Sequence, residues 1–145
     1  MVSRDKYVVE TDGLSTSERA DVCRELLALA APEVATFETD IPWSMAEEWP
    51  SEVREAAERL SSLREPRRGE DRLYRRTGVR KNDQVGAWDA FVAFAPYAFD
   101  ASAWGQGAHR LVALADCAQS IVVRLSGDQI ALVSTALEAR LVPVR

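Results

Sequence analysis

The stretch from Ser15 to Pro32 constrains the fold most, because it contains the start, the apolar face and the end of a single helix. Ser15 and Glu18 have the spacing of a capping box, in which each side chain accepts a hydrogen bond from the backbone N–H of the other. Apolar residues then recur at helical spacing until proline ends the pattern, at Val22, Leu26, Leu29 and Ala30. The sequence therefore predicts an amphipathic helix that packs against a core.

A second amphipathic helix is predicted from about Ser51 to Leu63. Its outer face is mainly acidic and carries Glu52, Glu55, Glu58 and Arg59. A capping box at Ser44 and Glu47 predicts a single helical turn before this helix. A third capping box, at Ser126 and Gln129, predicts a closing helix whose apolar face carries Ile130, Val133, Leu137 and Leu141.

Runs of β-branched and aromatic residues predict a sheet. Strands are expected over 6–11, 34–41, 87–95, 110–117 and 120–126, and the second of these could pair with the first. Periodicity leaves a helix open as the alternative for 87–95. Residues 66–84 and 99–109 are predicted to be loops. Together these elements predict an α+β fold, a mostly antiparallel sheet with two to three amphipathic helices packed on one face.

The chain has the length of one domain, and its charge is unevenly distributed within it. Of the 145 residues, 47% are hydrophobic and 28% are charged, which is typical of a globular protein rather than a disordered one. We therefore expect a single domain, 1–145, whose net charge of −5 divides by segment. An acidic helical half (1–65, net −8) precedes a basic connector (66–84, net +4) and an apolar, sheet-rich half (85–145, net −1).

No apolar run has the length of a signal peptide or a membrane span, so the sequence predicts a cytoplasmic protein that does not enter a membrane. The two cysteines, Cys23 and Cys117, lie far apart among apolar neighbours. This setting favours buried, reduced thiols over a disulfide.

The sequence contains no specific catalytic motif. The single histidine, His109, could activate Cys117 only if the two side chains met in space, and a cysteine at the end of an apolar strand lacks the setting of a reactive thiol. Asp40, Glu47 and Glu48 could hold a hard cation, but a plain acidic surface explains them better. Neither a metal-ligand spacing nor a nucleotide-binding glycine pattern is present, so we expect no metal and no cofactor, and non-enzymatic function is favoured.

Three candidate binding sites remain. The first would bind a basic protein partner through an aromatic and acidic segment that contains Asp40, Trp43, Glu47, Glu48 and Trp49. The second is a pocket near Trp104 and His109 that would serve a small enzyme or a ligand-binding domain. The third is a nucleic-acid contact within 67–81, made by Arg68, Arg72, Tyr74, Arg75 and Arg76.

The acidic net charge disfavours nucleic acid as the partner, because a nucleic-acid-binding domain normally presents a basic face. The arginines of the connector are explained equally well as solvated side chains, or as partners of Glu52, Glu55 or Glu58. We therefore rank the acidic segment first among the three sites.

The pattern "LADCAQSIVVRLSGDQIALVSTALEA" (114–139), two strands followed by a capped helix, resembles the closing module of small bacterial immunity proteins that accompany secreted polymorphic toxins. The small acidic domain without a catalytic motif is similar to that class as well. The resemblance implies a protein that binds a toxin domain and masks its active site. It assigns no individual residue a role.

Overall fold

Residues 3–145, which the computed structural model describes, form an antiparallel eight-stranded sheet with helices, so the predicted α+β fold is confirmed. The strands are β1 (Asp5–Val9), β2 (Thr36–Ile41), β3 (Arg75–Arg76), β4 (Arg80–Lys81), β5 (Asp100–Trp104), β6 (Arg110–Ala115), β7 (Ser120–Leu125) and β8 (Leu141–Pro143). Their order across the sheet is β3, β2, β5, β6, β7, β1, β8, and β4 pairs with β2 beside β3.

The helices are α1 (Thr16–Ala30), α2 (Ser51–Ser61), α3 (Ala87–Phe94), α4 (Gly127–Ile130) and α5 (Thr135–Glu138). Short 3-10 helices cover Ala31–Glu33, Trp43–Glu48, Ala95–Tyr97 and Gln106–Ala108. The capping box that begins α1 is present in both directions, since Glu18 N donates to Ser15 Oγ at 3.1 Å and Ser15 N donates to Glu18 Oε1 at 3.0 Å. The predicted first helix is thus confirmed, and it ends just before Pro32.

The core lies between the sheet and the helices. Phe37 of β2 packs against Phe91 of α3 with ring centroids 4.7 Å apart, which fixes α3 on the sheet. The second helix, α2, packs mainly on α3 and buries Val53, Ala57 and Leu60. The helix predicted from about Ser51 therefore forms, and its acidic outer face points away from the core.

The prediction of a strand over 87–95 is wrong, because Ala87–Phe94 form α3 and Ala95 begins a 3-10 helix. The side chains buried in α3 are Ala87, Ala90, Phe91 and Phe94, which is helical spacing. A run with many apolar residues suits a strand buried on both faces as well as a helix against a core, and tertiary packing decides between them.

Two predicted loops contain strands. Within 99–109, residues Asp100–Trp104 form β5, which lies inside the sheet between β2 and β6. Its buried side chains are small (Ala101, Ser102 and Ala103), so it lacks the β-branched pattern by which strands are recognised. Within 66–84, β3 and β4 both pair with β2, and Thr77 N donates to Thr39 O between them at 3.0 Å.

Three further details differ from the sequence prediction. The strand β1 pairs with β7 and β8, whereas β2 pairs with β5, so the two predicted first strands are not neighbours. The turn at Trp43–Glu48 begins after Pro42 without a side-chain cap. The closing helix is divided into α4 and α5 because Ser134 caps a second start, and Leu141 belongs to β8.

Candidate functional site

The segment that the sequence analysis ranked first is partly buried. Asp40 is only 2% exposed and Trp49 only 8%, so neither side chain offers much surface to a partner. Trp49 is held by Phe94, whose ring centroid lies 5.0 Å away, and by Trp43 at 5.5 Å. Trp43 is partly exposed, and Glu47 and Glu48 are exposed. The candidate contact surface therefore loses Asp40 and Trp49 and keeps the other three residues.

The exposed part of this segment continues into the outer face of α2. We call the resulting region the acidic surface, and it consists of Glu47, Glu48, Glu52, Glu55 and Glu58. All five side chains are exposed, and none takes part in the ion pairs found within residues 3–145. On α2 the glutamates lie three residues apart and repel one another, although Glu55 with Arg59 and Glu58 with Arg54 have the favourable spacing of four residues.

A groove lies beside the acidic surface. Its volume is about 450 Å³, and Met45, Trp49 and Tyr97 line it with Glu48 at the rim. Arg19 also lines the groove, where its guanidinium donates to Leu14 O at 2.9 Å and to Cys117 O at 3.3 Å. An apolar depression beside exposed charges is the usual anatomy of a protein-binding surface.

Asp40 serves to hold the chain together. Its Oδ2 accepts a hydrogen bond from the hydroxyl of Tyr74 at 2.8 Å, and its Oδ1 accepts one from the backbone N–H of Phe99 at 2.9 Å. Burial raises the pKa of the Asp40 carboxyl above its ordinary value, although these hydrogen bonds oppose the shift. The residue therefore joins the 66–84 segment to β2 and to the start of β5.

The basic residues of 66–84 are organised locally. Glu70 pairs with Arg64 and lies 3.9 Å from Nε of Arg75. In the described part of the chain the arginines form no ion pair with Glu52, Glu55 or Glu58, so the pairing suggested for those residues does not occur. Arg64 pairs instead with Glu70, which is only six residues away in the chain.

The residues proposed for nucleic acid are not equally accessible. The hydroxyl of Tyr74 is bonded to Asp40, and the guanidinium of Arg76 lies 5.8 Å from the centroid of its ring. The ring is therefore poorly placed to stack on a base. Arg68 and Arg72 are exposed, whereas Arg75 is partly buried.

Sequence reasoning missed a cavity that joins Trp43 to these arginines. It has a volume of about 600 Å³, and Trp43, Arg67, Arg72 and Arg75 line it. The cavity forms because Arg75 is the register partner of Ile41, two residues before Trp43. No pattern in the sequence predicted this pairing, since 75–81 lacks apolar alternation.

The cavities described for residues 3–145 lie away from the alternative pocket site near Trp104 and His109. The Arg110 guanidinium lies 5.9 Å from the Trp104 ring centroid, and His109 is exposed. Neither residue lines any of the five cavities described for residues 3–145.

The cysteines do not form a nucleophile with His109. His109 precedes β6 and Cys117 follows it, and a six-residue strand separates its ends by roughly 20 Å. Burial raises the pKa of Cys23 to about 12 and also raises the pKa of Cys117. Cys23 is buried as predicted, Cys117 is only partly buried, and both thiols are free.

Within 3–145, no three His, Cys, Asp or Glu side chains cluster closely enough to hold a metal ion. In the same range, no helix has both the length and the apolar character that crossing a membrane requires. Comparison of the chain with protein-family models, with curated proteins and with solved structures finds no match.

Proposed function

We propose that this protein is a non-enzymatic binding protein that masks a basic protein partner. In this proposal it is an immunity or antitoxin-like domain of a bacterial cell, acts in the cytoplasm, and covers the active site of a toxin domain. The acidic surface makes the contact, and Trp43 lies at its border. The observation that carries the proposal is the set of five exposed glutamates without a basic partner in the described chain.

The support beneath the acidic surface favours binding. Glu52, Glu55 and Glu58 project from α2, whose opposite face is fixed on α3 by fully buried side chains such as Leu60. A rigid surface loses little conformational freedom when it binds. The groove beside Glu48 offers an apolar depression in which a side chain of the partner could be buried.

The charge of this surface suits a basic partner. Exposed glutamates attract such a partner over a distance and increase the rate of association, an effect that salt screens. Occlusion then follows from contact, because a domain of this size is large enough to cover the active site of a small enzyme. No chemical step by this chain is needed.

The first experiment compares three baits in a pull-down from the native host. The baits are the unchanged protein, the double variant Glu47→Lys with Glu48→Lys, and the control Asp128→Lys with Glu138→Lys. Asp128 and Glu138 are exposed residues of α4 and α5, and both double variants change the net charge equally. Captured proteins are identified by mass spectrometry.

We expect a basic protein that the unchanged bait and the control capture and that the Glu47/Glu48 variant loses. The captured protein, once purified, should lose its own activity when the unchanged protein is added. The same capture by all three baits would overturn the proposal, and so would a partner that remains active in the complex.

A further inference from the structure

The cavity between Trp43 and the arginines has none of the five glutamates of the acidic surface in its lining. Its volume of about 600 Å³ lies within the range of about 300–1,000 Å³ that small-molecule sites occupy. Three arginines, Arg67, Arg72 and Arg75, line it together with one aromatic ring. This combination of groups differs from that of the other described cavities, none of which has a tryptophan beside several arginines.

The two carboxylates in the wall of this cavity are already engaged. Glu70 pairs with Arg64 through Oε1, and its Oε2 accepts a hydrogen bond from Arg67 N at 2.9 Å. These interactions lower the pKa of Glu70, so it remains ionised. Asp71 Oδ1 accepts a hydrogen bond from Leu73 N at 2.8 Å. The lining therefore contains three arginines against two carboxylates, a formal net charge of +1.

Arg75 is the most buried of the three arginines, with its side chain 20% exposed. Its Nε is buried and makes no hydrogen bond, and Glu70 Oε1 lies 3.9 Å away. The rest of the side chain lines the cavity, where the guanidinium charge has only this one loosely placed carboxylate partner. The side chains of Arg67 and Arg72 are exposed at the same cavity and have no ion pair within residues 3–145.

Trp43 supplies a flat wall. Its ring centroid is 5.5 Å from that of Trp49, and this contact holds the ring while the side chain remains partly exposed at the cavity. A held tryptophan ring provides a surface on which a planar ligand can stack. Arginine guanidinium groups bind phosphate through paired hydrogen bonds.

We propose that this cavity binds an aromatic ring that carries a phosphate, a ligand of the size of a nucleoside monophosphate. The ring stacks on Trp43, and the guanidinium groups of Arg72 and Arg75 bind the phosphate. Ligand binding at this site requires no basic protein partner. This proposal can therefore be right or wrong independently of the one for the acidic surface.

The test is calorimetric titration of the full chain with adenosine monophosphate, with inorganic phosphate and with adenosine. We expect the monophosphate to bind more tightly than either fragment, because only it contacts both the ring and the arginines. Arg72→Gln and Arg75→Gln should each weaken its binding about tenfold or more, as expected when a charge-assisted hydrogen bond is lost. Arg72 is an exposed residue outside the strands, so Arg72→Gln tests the site even if Arg75→Gln does not fold.

Arg68→Gln is the matched control, since it removes the same charge from an exposed arginine that lines a neighbouring hollow instead of this cavity. Its binding of the monophosphate should be unchanged. Equal weakening by Arg68→Gln and Arg72→Gln would overturn the proposal, because binding would then follow the charge of the segment and not the cavity. Equal affinity for inorganic phosphate and the monophosphate, or no saturable binding up to about 5 mM, would overturn it as well.

A short single-stranded oligonucleotide completes the titration. Tighter binding of the oligonucleotide than of the monophosphate, together with a loss in Arg68→Gln, would show an extended nucleic-acid contact. That result would overturn the assignment of a small ligand. Binding of the monophosphate alone would support it.

Discussion

The acidic surface and the arginines of residues 66–84 are both charged, but the fold supports them in different ways. The glutamates project from α2, whose position depends on buried apolar side chains such as Leu60, and their charges make no ion pairs within residues 3–145. The arginine segment has few apolar anchors. Polar contacts hold it instead, namely Asp40 with Tyr74, Thr39 with Thr77, and Glu70 with Arg64.

This difference separates the acidic side chains that hold parts of the chain together from those that do not. The side-chain oxygens of Asp40 and Glu70 accept hydrogen bonds that join two parts of the chain. Glu47, Glu48 and the glutamates of α2 could change without loss of any ion pair in the described chain. Charges that the fold does not use are the ones available to a partner, which is why we assign the proposed function to them.

The largest expected loss of stability comes from shortening a buried apolar side chain on the inner face of α2. Leu60 is 0% exposed, so Leu60→Ala should lower the free energy of unfolding by about 2–5 kcal/mol. Glu58→Ala on the same helix is the control and should change it by less than about 0.5 kcal/mol. Urea unfolding followed by tryptophan fluorescence measures both. Equal effects of the two substitutions would mean that α2 is not anchored as described.

A smaller, pH-dependent change in the free energy of unfolding should come from Asp40, whose hydrogen bond with Tyr74 helps to hold the arginine segment. The raised pKa of Asp40 means that the folded state binds its proton more tightly than the unfolded state does. The stability that this proton contributes is complete below the unfolded pKa of about 4 and is lost as the pH rises through the folded pKa. We therefore expect the free energy of unfolding to fall with rising pH relative to that of Asp40→Asn.

Urea unfolding of both proteins between about pH 4 and pH 7 measures this difference, and the other carboxylates cancel because both proteins contain them. A difference that does not change with pH would contradict the raised pKa. A difference that grows in favour of the unchanged protein would show that the hydrogen bonds from Tyr74 and Phe99 outweigh burial.

The smallest effect on stability should come from the acidic surface itself. Glu47→Lys with Glu48→Lys should change the free energy of unfolding by no more than about 0.5 kcal/mol per substitution, because both side chains are exposed and lack an ion pair in the described chain. Thermal unfolding of this variant beside the unchanged protein checks this. A large loss would show that these glutamates stabilise the fold, and the comparison between the two charged regions would fail.

The sequence predicts those helices whose spacing of apolar residues matches the face that they bury in the structure. The capping box and the periodic apolar residues of α1 give that helix directly, and the periodic apolar residues alone give α2. It does not separate strand from helix over 87–95, since almost every residue there is apolar. It also misses β5, whose small side chains suit a strand beneath closely packed helices but match no strand pattern.

The candidate site could likewise be predicted from the sequence only in part. The exposure of Glu47 and Glu48 follows from their charge, which the sequence shows. The burial of Asp40 does not, because its partners Tyr74 and Phe99 are 34 and 59 residues away in the chain. The cavity beside Trp43 depends on the pairing of β3 with β2, and that pairing arises from the tertiary structure alone.

The salt dependence of the complex tests most directly whether the acidic surface binds a basic partner. The dissociation constant between the unchanged protein and the captured partner should rise several-fold between about 50 mM and about 300 mM salt, as charge attraction is screened. The Glu47→Lys and Glu48→Lys double variant should bind more weakly at low salt and lose most of that dependence. A dissociation constant that salt does not change, with equal binding by the double variant, would contradict the account.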